Sequence, residues 1–163
     1  MKIELQQIAT VKSPFCNLEN MPVQPKGAKD TYATIEFKEK YQEGLKDLDG
    51  FSHVYLIYYF HKIKKTSLSV VPFNDLTNTS RGVFSTRTPM HPNSIGLSVV
   101  ELVSVENNIV TIKGIDILDG TPLLDIKPYI ENFDKIDTPT KSGWMRSSSD
   151  DVSLKRSDDR FIK

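Results

Sequence analysis

Two long runs rich in β-branched residues, Leu97 to Val105 and Ile109 to Leu118, are separated only by Glu106-Asn107-Asn108. Asparagine tolerates the positive φ of a tight turn, so the two runs are predicted to form one long β-hairpin. Upstream, Tyr32 to Phe37 alternates: Ala33, Ile35 and Phe37 share one face, Tyr32, Thr34 and Glu36 the other, as in a half-buried strand. Val54-Tyr55-Leu56-Ile57-Tyr58-Tyr59-Phe60 is aromatic and β-branched without polar alternation, which predicts a central strand covered on both faces. Between them, Tyr41, Leu45 and Leu48 stand at helical spacing, with Gly44 weakening the interior and Gly50 suited to the left-handed position just past a helix. Helical periodicity is almost absent elsewhere. The expected architecture is therefore mainly β, a single antiparallel sheet curled toward a β-barrel, with one or two short helices. Strands that do not alternate with amphipathic helices argue against a doubly wound sheet.

A length of 163 residues suits one domain. We expect it to span residues 1–144, followed by a polar tail, 145–163, that Val152, Leu154 and Phe161 could anchor on the barrel or on a dimer partner. Lys plus Arg number 21 and Asp plus Glu 21, so no overall positive field draws in a polyanion, and any nucleic-acid contact must come from a local patch. Cys16 is the only cysteine, which rules out an internal disulfide. The start, Met1-Lys2-Ile3-Glu4, lacks the apolar stretch of a signal peptide, and the Val54 to Phe60 run is far shorter than the roughly 20 residues of a membrane helix. A cytoplasmic protein with no membrane contact is the expectation.

The segment Ile115-Asp116-Ile117-Leu118-Asp119-Gly120-Thr121-Pro122-Leu123-Leu124-Asp125 sets three carboxylates and a turn between apolar runs, a costly arrangement for a chain that only needs a core. Asp119-Gly120-Thr121-Pro122 is also good turn chemistry in its own right, and Asp116 and Asp125 could be satisfied by backbone amides. Arg87-Thr88-Pro89-Met90-His91-Pro92-Asn93-Ser94-Ile95-Gly96 reads as a proline-stiffened loop. It either aims Arg87 or merely connects two strands, with Gly96 permitting close backbone approach. Lys62-Ile63-Lys64-Lys65 is the densest basic run, a solvated face or a phosphate contact.

His53, His61 and His91 are the only histidines. On one straight strand His53 and His61 would stand roughly 26 Å apart at about 3.3 Å per residue, so no metal site is expected. His61 could simply cap the end of a buried strand. Neither G-x-G-x-x-G nor G-x-S-x-G occurs, which removes the glycine-rich phosphate loop and the serine-esterase elbow.

Three segments taken in order carry a likeness: Phe51-Ser52-His53-Val54-Tyr55-Leu56 through His61; Gly82 to Pro89 with Pro92-Asn93-Ser94-Ile95-Gly96-Leu97-Ser98; and Asp116 through Tyr129. Together they resemble the TsaA-like (TrmO-type) family, whose characterised members are S-adenosylmethionine-dependent tRNA methyltransferases. The likeness runs from about Leu5 to Trp144, and Ser157-Asp158-Asp159-Arg160-Phe161 resembles the close of short members without an extra C-terminal domain. It implies a single-sheeted β-barrel that forms a homodimer, with S-adenosyl-L-methionine held near the subunit interface and N6 of threonylcarbamoyl-modified adenosine beside the tRNA anticodon as acceptor. The implied cofactor shell is Gln24, Pro25, Lys26, His61, Lys62, Arg87, Leu97, Ile115, Asp116, Ile117, Leu118 and Asp119. His91 stands where the family usually has an arginine, and Pro72 to Ser80 replaces an arginine-rich, Gly-Gly-containing segment. Fewer cations there imply weaker phosphate attraction.

A ligand with a sulfonium, an ammonium and a carboxylate needs an acidic side, which Asp116 or Asp119 could supply, and a basic one, for which Arg87 is suited. Leu97, Ile115, Ile117 and Leu118 could pack its apolar parts, although strand alternation would let only some face a pocket. Methyl transfer to an adenine N6 must be accompanied by loss of its proton, and Asp119 is the expected base. Two competing readings are methylation of another RNA or a small molecule, and a non-catalytic cofactor-binding module in which the acids serve turns only.

Overall fold

The computed structural model describes residues 1–17, 28–73, 75 and 77–145. Its strands are β1 (Ala9–Lys12), β2 (Tyr32–Phe37), β3 (His53–Tyr59), β4 (Ser69–Val70), β5 (Arg81–Gly82), β6 (Ile95–Glu106), β7 (Ile109–Lys113) and β8 (Pro122–Pro128). Six of them close a barrel in the order β1-β2-β7-β6-β3-β8, while β4 and β5 form a small separate hairpin. Every neighbouring pair in the barrel is antiparallel. The expected mainly β, antiparallel barrel is what the chain forms.

Alternation explains which residues fill it. In β2, Ala33, Ile35 and Phe37 point inward and are buried; in β3, Val54, Leu56 and Tyr58 do so; in β7, Val110 and Ile112. Ile35, Leu56, Ile112, Ile115 and Leu123 are among the largest side chains buried completely, each worth about 1.5–3 kcal/mol of transfer free energy. The expected hairpin is β6–β7, and its turn residue Asn107 has φ 55°. The second run stops at Lys113 rather than Leu118, because Gly114 takes φ 82° and turns the chain out of the ladder.

Two local expectations need correction. The Val54 to Phe60 run is not covered on both faces: Tyr55 and Ile57 are half-buried and Tyr59 is exposed, since a small barrel has only one inside. The segment around Tyr41 forms 3-10 turns, Glu39–Leu45 and Leu48–Gly50, instead of an α-helix, and Asp47 (φ 64°), not Gly50, holds the left-handed position. Buried Leu45 and Leu48 still face the core, so the apolar spacing serves packing while Gly44 weakens a regular helix. The single-turn helix α1 (Glu131–Asp134) follows β8. Among the described residues no helix is long and apolar enough to cross a membrane.

Gly96 carries a sharp steric demand. It pairs with Tyr58 across β3 and β6, and a Cβ added there would lie 2.2–2.8 Å from the Tyr58 ring. The ring therefore lies flat over the glycine, edge-on to Phe60 at 5.3 Å, with its hydroxyl 3.2 Å from Ser98 Oγ. Gly96→Ala should lower stability by about 1–3 kcal/mol in chemical denaturation. Adding Tyr58→Leu should cost less in the Gly96→Ala background than in wild type, a non-additivity that reports the shared space.

Candidate functional site

Closing six antiparallel strands sorts the connections between two ends. The loops 13–31, 60–94 and 114–121 leave from one end; the 38–52 connection and the Asn107-Asn108 turn occupy the other. All three segments singled out for chemistry thus emerge at the same rim. Hydrogen bonds weld the start of the 13–31 loop to the acidic bend: Ser13 N donates to Asp119 Oδ1 (3.0 Å), Ser13 Oγ to the Ile117 carbonyl (2.6 Å), and Asp119 N to the Phe15 carbonyl (2.8 Å).

The residues of the bend differ in environment. Ile115, Ile117 and Leu118 are buried and plug the barrel end, which a non-strand backbone allows where alternation would not. Asp116 lies among them with its Oδ1 buried and without a hydrogen-bond partner among the described residues. Burial raises its carboxyl from 3.8 to about 6, its own backbone amide opposing. The same burial, reinforced by the Asp116 charge, raises the Tyr58 hydroxyl above its ordinary value. Asp119 uses one oxygen to hold Ser13, and its Oδ2 has no protein partner among the described residues.

His61 follows β3 at this rim. Its Nδ1 lies 3.4 Å from Thr121 Oγ1, and that hydroxyl donates to the Leu118 carbonyl (2.7 Å). With its one proton committed, the hydroxyl can only accept from His61 Nδ1–H, which leaves Nε2 as an acceptor. Burial and then neighbouring Lys62 lower the pKa of His61 and favour this neutral form. His53 lies at the opposite end of β3, edge-on to Tyr129. Among the described residues no group of three or more His, Cys, Asp or Glu side chains could hold a metal ion.

Two expected members of the cofactor shell are exposed and make no hydrogen bond or ion pair to the bend among the described residues. Arg87 is exposed on the 60–94 loop and makes no ion pair among the described residues. Leu97 points outward from β6, 58% exposed, opposite Ile57, away from the barrel interior. Lys62 is exposed beside His61. Gln24, Pro25 and Lys26 lie outside the described residues, as do Val152, Leu154 and Phe161.

Where the resemblance implied arginines, this chain commits its side chains to its own loop. His91 Nε2 lies 3.1 Å from the Thr86 carbonyl, and its ring meets Phe84 edge-on at 5.8 Å. Buried Asp75 accepts from Arg81 Nε (2.7 Å), Thr77 Oγ1 (2.6 Å) and the amides of Thr77 and Thr79 (2.9 and 3.3 Å). The Arg81 hydrogen bond, then that of Thr77, holds the Asp75 carboxyl well below the usual carboxylate range. Sequence reasoning missed Ser13 and Thr121 as parts of the rim. Ser13 stands 106 positions from Asp119, and nothing local in Lys12-Ser13-Pro14 announces that partner.

The model of the tRNA-methyltransferase O N-terminal domain matches residues 10–135. A probable S-adenosyl-L-methionine-binding protein of Pyrococcus abyssi is 44% identical over 155 residues, covering 95% of this chain and 83% of that protein. A tRNA (adenine(37)-N6)-methyltransferase of Homo sapiens is 35% identical over 134 residues, covering 79% of this chain but 30% of the human protein. The crystal structure of TrmO from Pseudomonas aeruginosa superposes with a TM-score of 0.71 at 34% identity, over 88% of this chain and 62% of the crystallised one. This chain thus spans less than two thirds of that structure and under a third of the human relative.

The orphaned carboxylate has a pH signature. Because the folded value of Asp116 lies above the unfolded one, its contribution to stability is full below about 3.8 and is lost as pH rises through about 6. Without ligand, Asp116→Asn should therefore be more stable than wild type above about pH 6, by on the order of 2 kcal/mol, with the gap closing in acid. Thermal unfolding across pH measures it.

Proposed function

Because the chain belongs to the family of the tRNA-methyltransferase O N-terminal domain, we propose that it is an S-adenosylmethionine-dependent methyltransferase acting on N6 of threonylcarbamoyl-modified adenosine beside the tRNA anticodon. The observation that carries this reading is the buried, unpartnered Asp116 oxygen at the rim where the chemistry-bearing loops converge. A buried carboxylate without a partner is destabilising, and a cationic ligand group relieves it. The donor set thus fits S-adenosylmethionine, which would supply a methyl group activated by a positively charged sulfur. On this reading Asp116 answers the positive charge, the Ile115 to Asp119 bend forms one side, Lys62 and Arg87 supply the basic one with neutral His61 as a neighbour, and Gln24, Pro25 and Lys26 join the shell as the resemblance implies.

Positioning of the acceptor dominates such a transfer, and the acceptor's proton must leave. Asp119 suits the role of base, because Ser13 N–H fixes one of its oxygens and Oδ2 is left to take the proton. Two carboxylates in unlike surroundings can thus serve unlike roles. Asp119→Asn should lower turnover about 10²–10⁴-fold while S-adenosylmethionine binding by calorimetry stays intact; full turnover would remove Asp119 as the base.

Leu97 argues for a homodimer. It lies on the outer face of β6, whereas the bend faces inward, so if Leu97 belongs to the cofactor shell, as the resemblance implies, a second copy would bring it there. Ile95 and Val99 on the same face, with Tyr59 opposite Ile95, extend an exposed apolar stripe suited to such a contact. Leu97→Asp should give a monomer in sedimentation analysis and bind S-adenosylmethionine more weakly. Deleting the gene and analysing total tRNA nucleosides by mass spectrometry tests the acceptor: the methylated threonylcarbamoyladenosine should vanish, and an unchanged peak would point instead to another RNA or a small molecule.

A further inference from the structure

A shallow, open groove of about 360 Å³ crosses the outer face of β1, β2 and β7 at the rim end; besides Ala33 it is lined by Lys12, Ser13, Pro14, Tyr32, Thr34 and Thr111. Register places these residues side by side: Lys12 opposite Thr34, Thr34 opposite Thr111, and Tyr32 opposite Lys113. Tyr32 is 56% exposed, with Lys113 Nζ 5.7 Å from its ring centroid. Lys113 also pairs with Asp30 at 3.4 Å, whereas Lys12 is exposed and has no ion-pair partner among the described residues. The hydroxyls of Thr34 and Thr111 have no hydrogen-bond partner among the described residues either. Core packing uses none of these groups.

We propose that this groove binds single-stranded RNA flanking the reacting nucleotide, with a base stacked on Tyr32, its edge on the Thr34 and Thr111 hydroxyls, and a phosphate on Lys12. The inference rests on the tRNA reading above and deepens it. Unpaired bases are recognised by aromatic stacking and hydrogen bonds to their edges, with cations along the backbone, and the groove offers all three. Its location supplies the link to chemistry, because Ser13 lines the groove and also holds Asp119 and Ile117. An RNA strand seated there ends beside the acidic bend. A chain with equal numbers of cations and anions has no long-range field for RNA, so stacking and one free lysine would carry local recognition.

Fluorescence anisotropy of the full chain with a labelled anticodon stem-loop RNA, alongside calorimetry with S-adenosylmethionine, tests this. Tyr32→Ala should weaken RNA binding by about tenfold, Tyr32→Phe should bind as wild type, and Lys12→Ala should reduce the salt slope by about one, all with cofactor affinity unchanged. Wild-type RNA affinity in Tyr32→Ala would overturn the groove and leave the methyltransferase reading standing. Failure of the wild-type chain to bind the RNA at all would overturn both. An altered oligomeric state in Tyr32→Ala with unaltered RNA affinity would make the groove a contact between copies and overturn the proposal. Should Tyr32→Ala not fold, Lys12→Glu on an exposed side chain decides the matter: unchanged RNA affinity there refutes the groove.

Discussion

The short ladder between β1 and β8 is the contact on which the rest depends. Only Ala9 opposite Leu123 and Thr10 opposite Pro122 join the two strands, extended by Ile8 N to the Leu123 carbonyl, Val11 N to the Thr121 carbonyl and Gly120 N to the Val11 carbonyl, each 2.9 Å. These bonds close the sheet and remove both of its edges. They also pull the start of the chain against the segment that follows β7, more than a hundred positions later, which is why Ser13 can hold both Asp119 and Ile117. Without closure the acidic bend would have no wall opposite it.

Closure also explains how a neutral chain builds a polarised rim. The bend enters the barrel mouth with apolar residues leading, so Asp116 Oδ1 is carried into low-dielectric surroundings, while Asp119 is held by Ser13. Cations nearby are distributed differently. Arg81 is committed to Asp75 and lies over the Trp144 ring, while His91 secures its own loop. Arg87, Lys62 and Lys12 remain exposed and without ion-pair partners among the described residues. The rim therefore combines an acid with one buried, unpartnered oxygen and a few exposed positive side chains, a pattern suited to a small zwitterionic ligand more than to a polyanion held by field alone.

Much of the fold was legible because strand pairing here follows period-2 alternation. Ala33, Ile35 and Phe37 are buried as their spacing requires, and Asn107 makes the hairpin turn. Legibility failed where a residue's backbone state depends on distant packing. Asp47 takes the left-handed conformation that Gly50 was suited to, and the Ile115 to Leu118 run leaves the ladder at Gly114, whose amide bonds the Thr31 carbonyl. The candidate site shows the same division. Its acidic residues stood out by composition, but the difference between them, an unpartnered buried oxygen on Asp116 and an oxygen held by Ser13 on Asp119, was invisible, because spacing reports neither solvent access nor partners.

By itself, then, the amino-acid order determined which stretches are strands, which of their faces are apolar and which segment concentrates carboxylates, since these follow from local side-chain chemistry. Only the tertiary structure decided that the bend, the β1 end and His61 share one rim, that Asp116 loses its partners there, and that Leu97 faces away. Each of those outcomes depends on the direction and closure of six strands, and long-range pairing of that kind leaves no local trace in the chain.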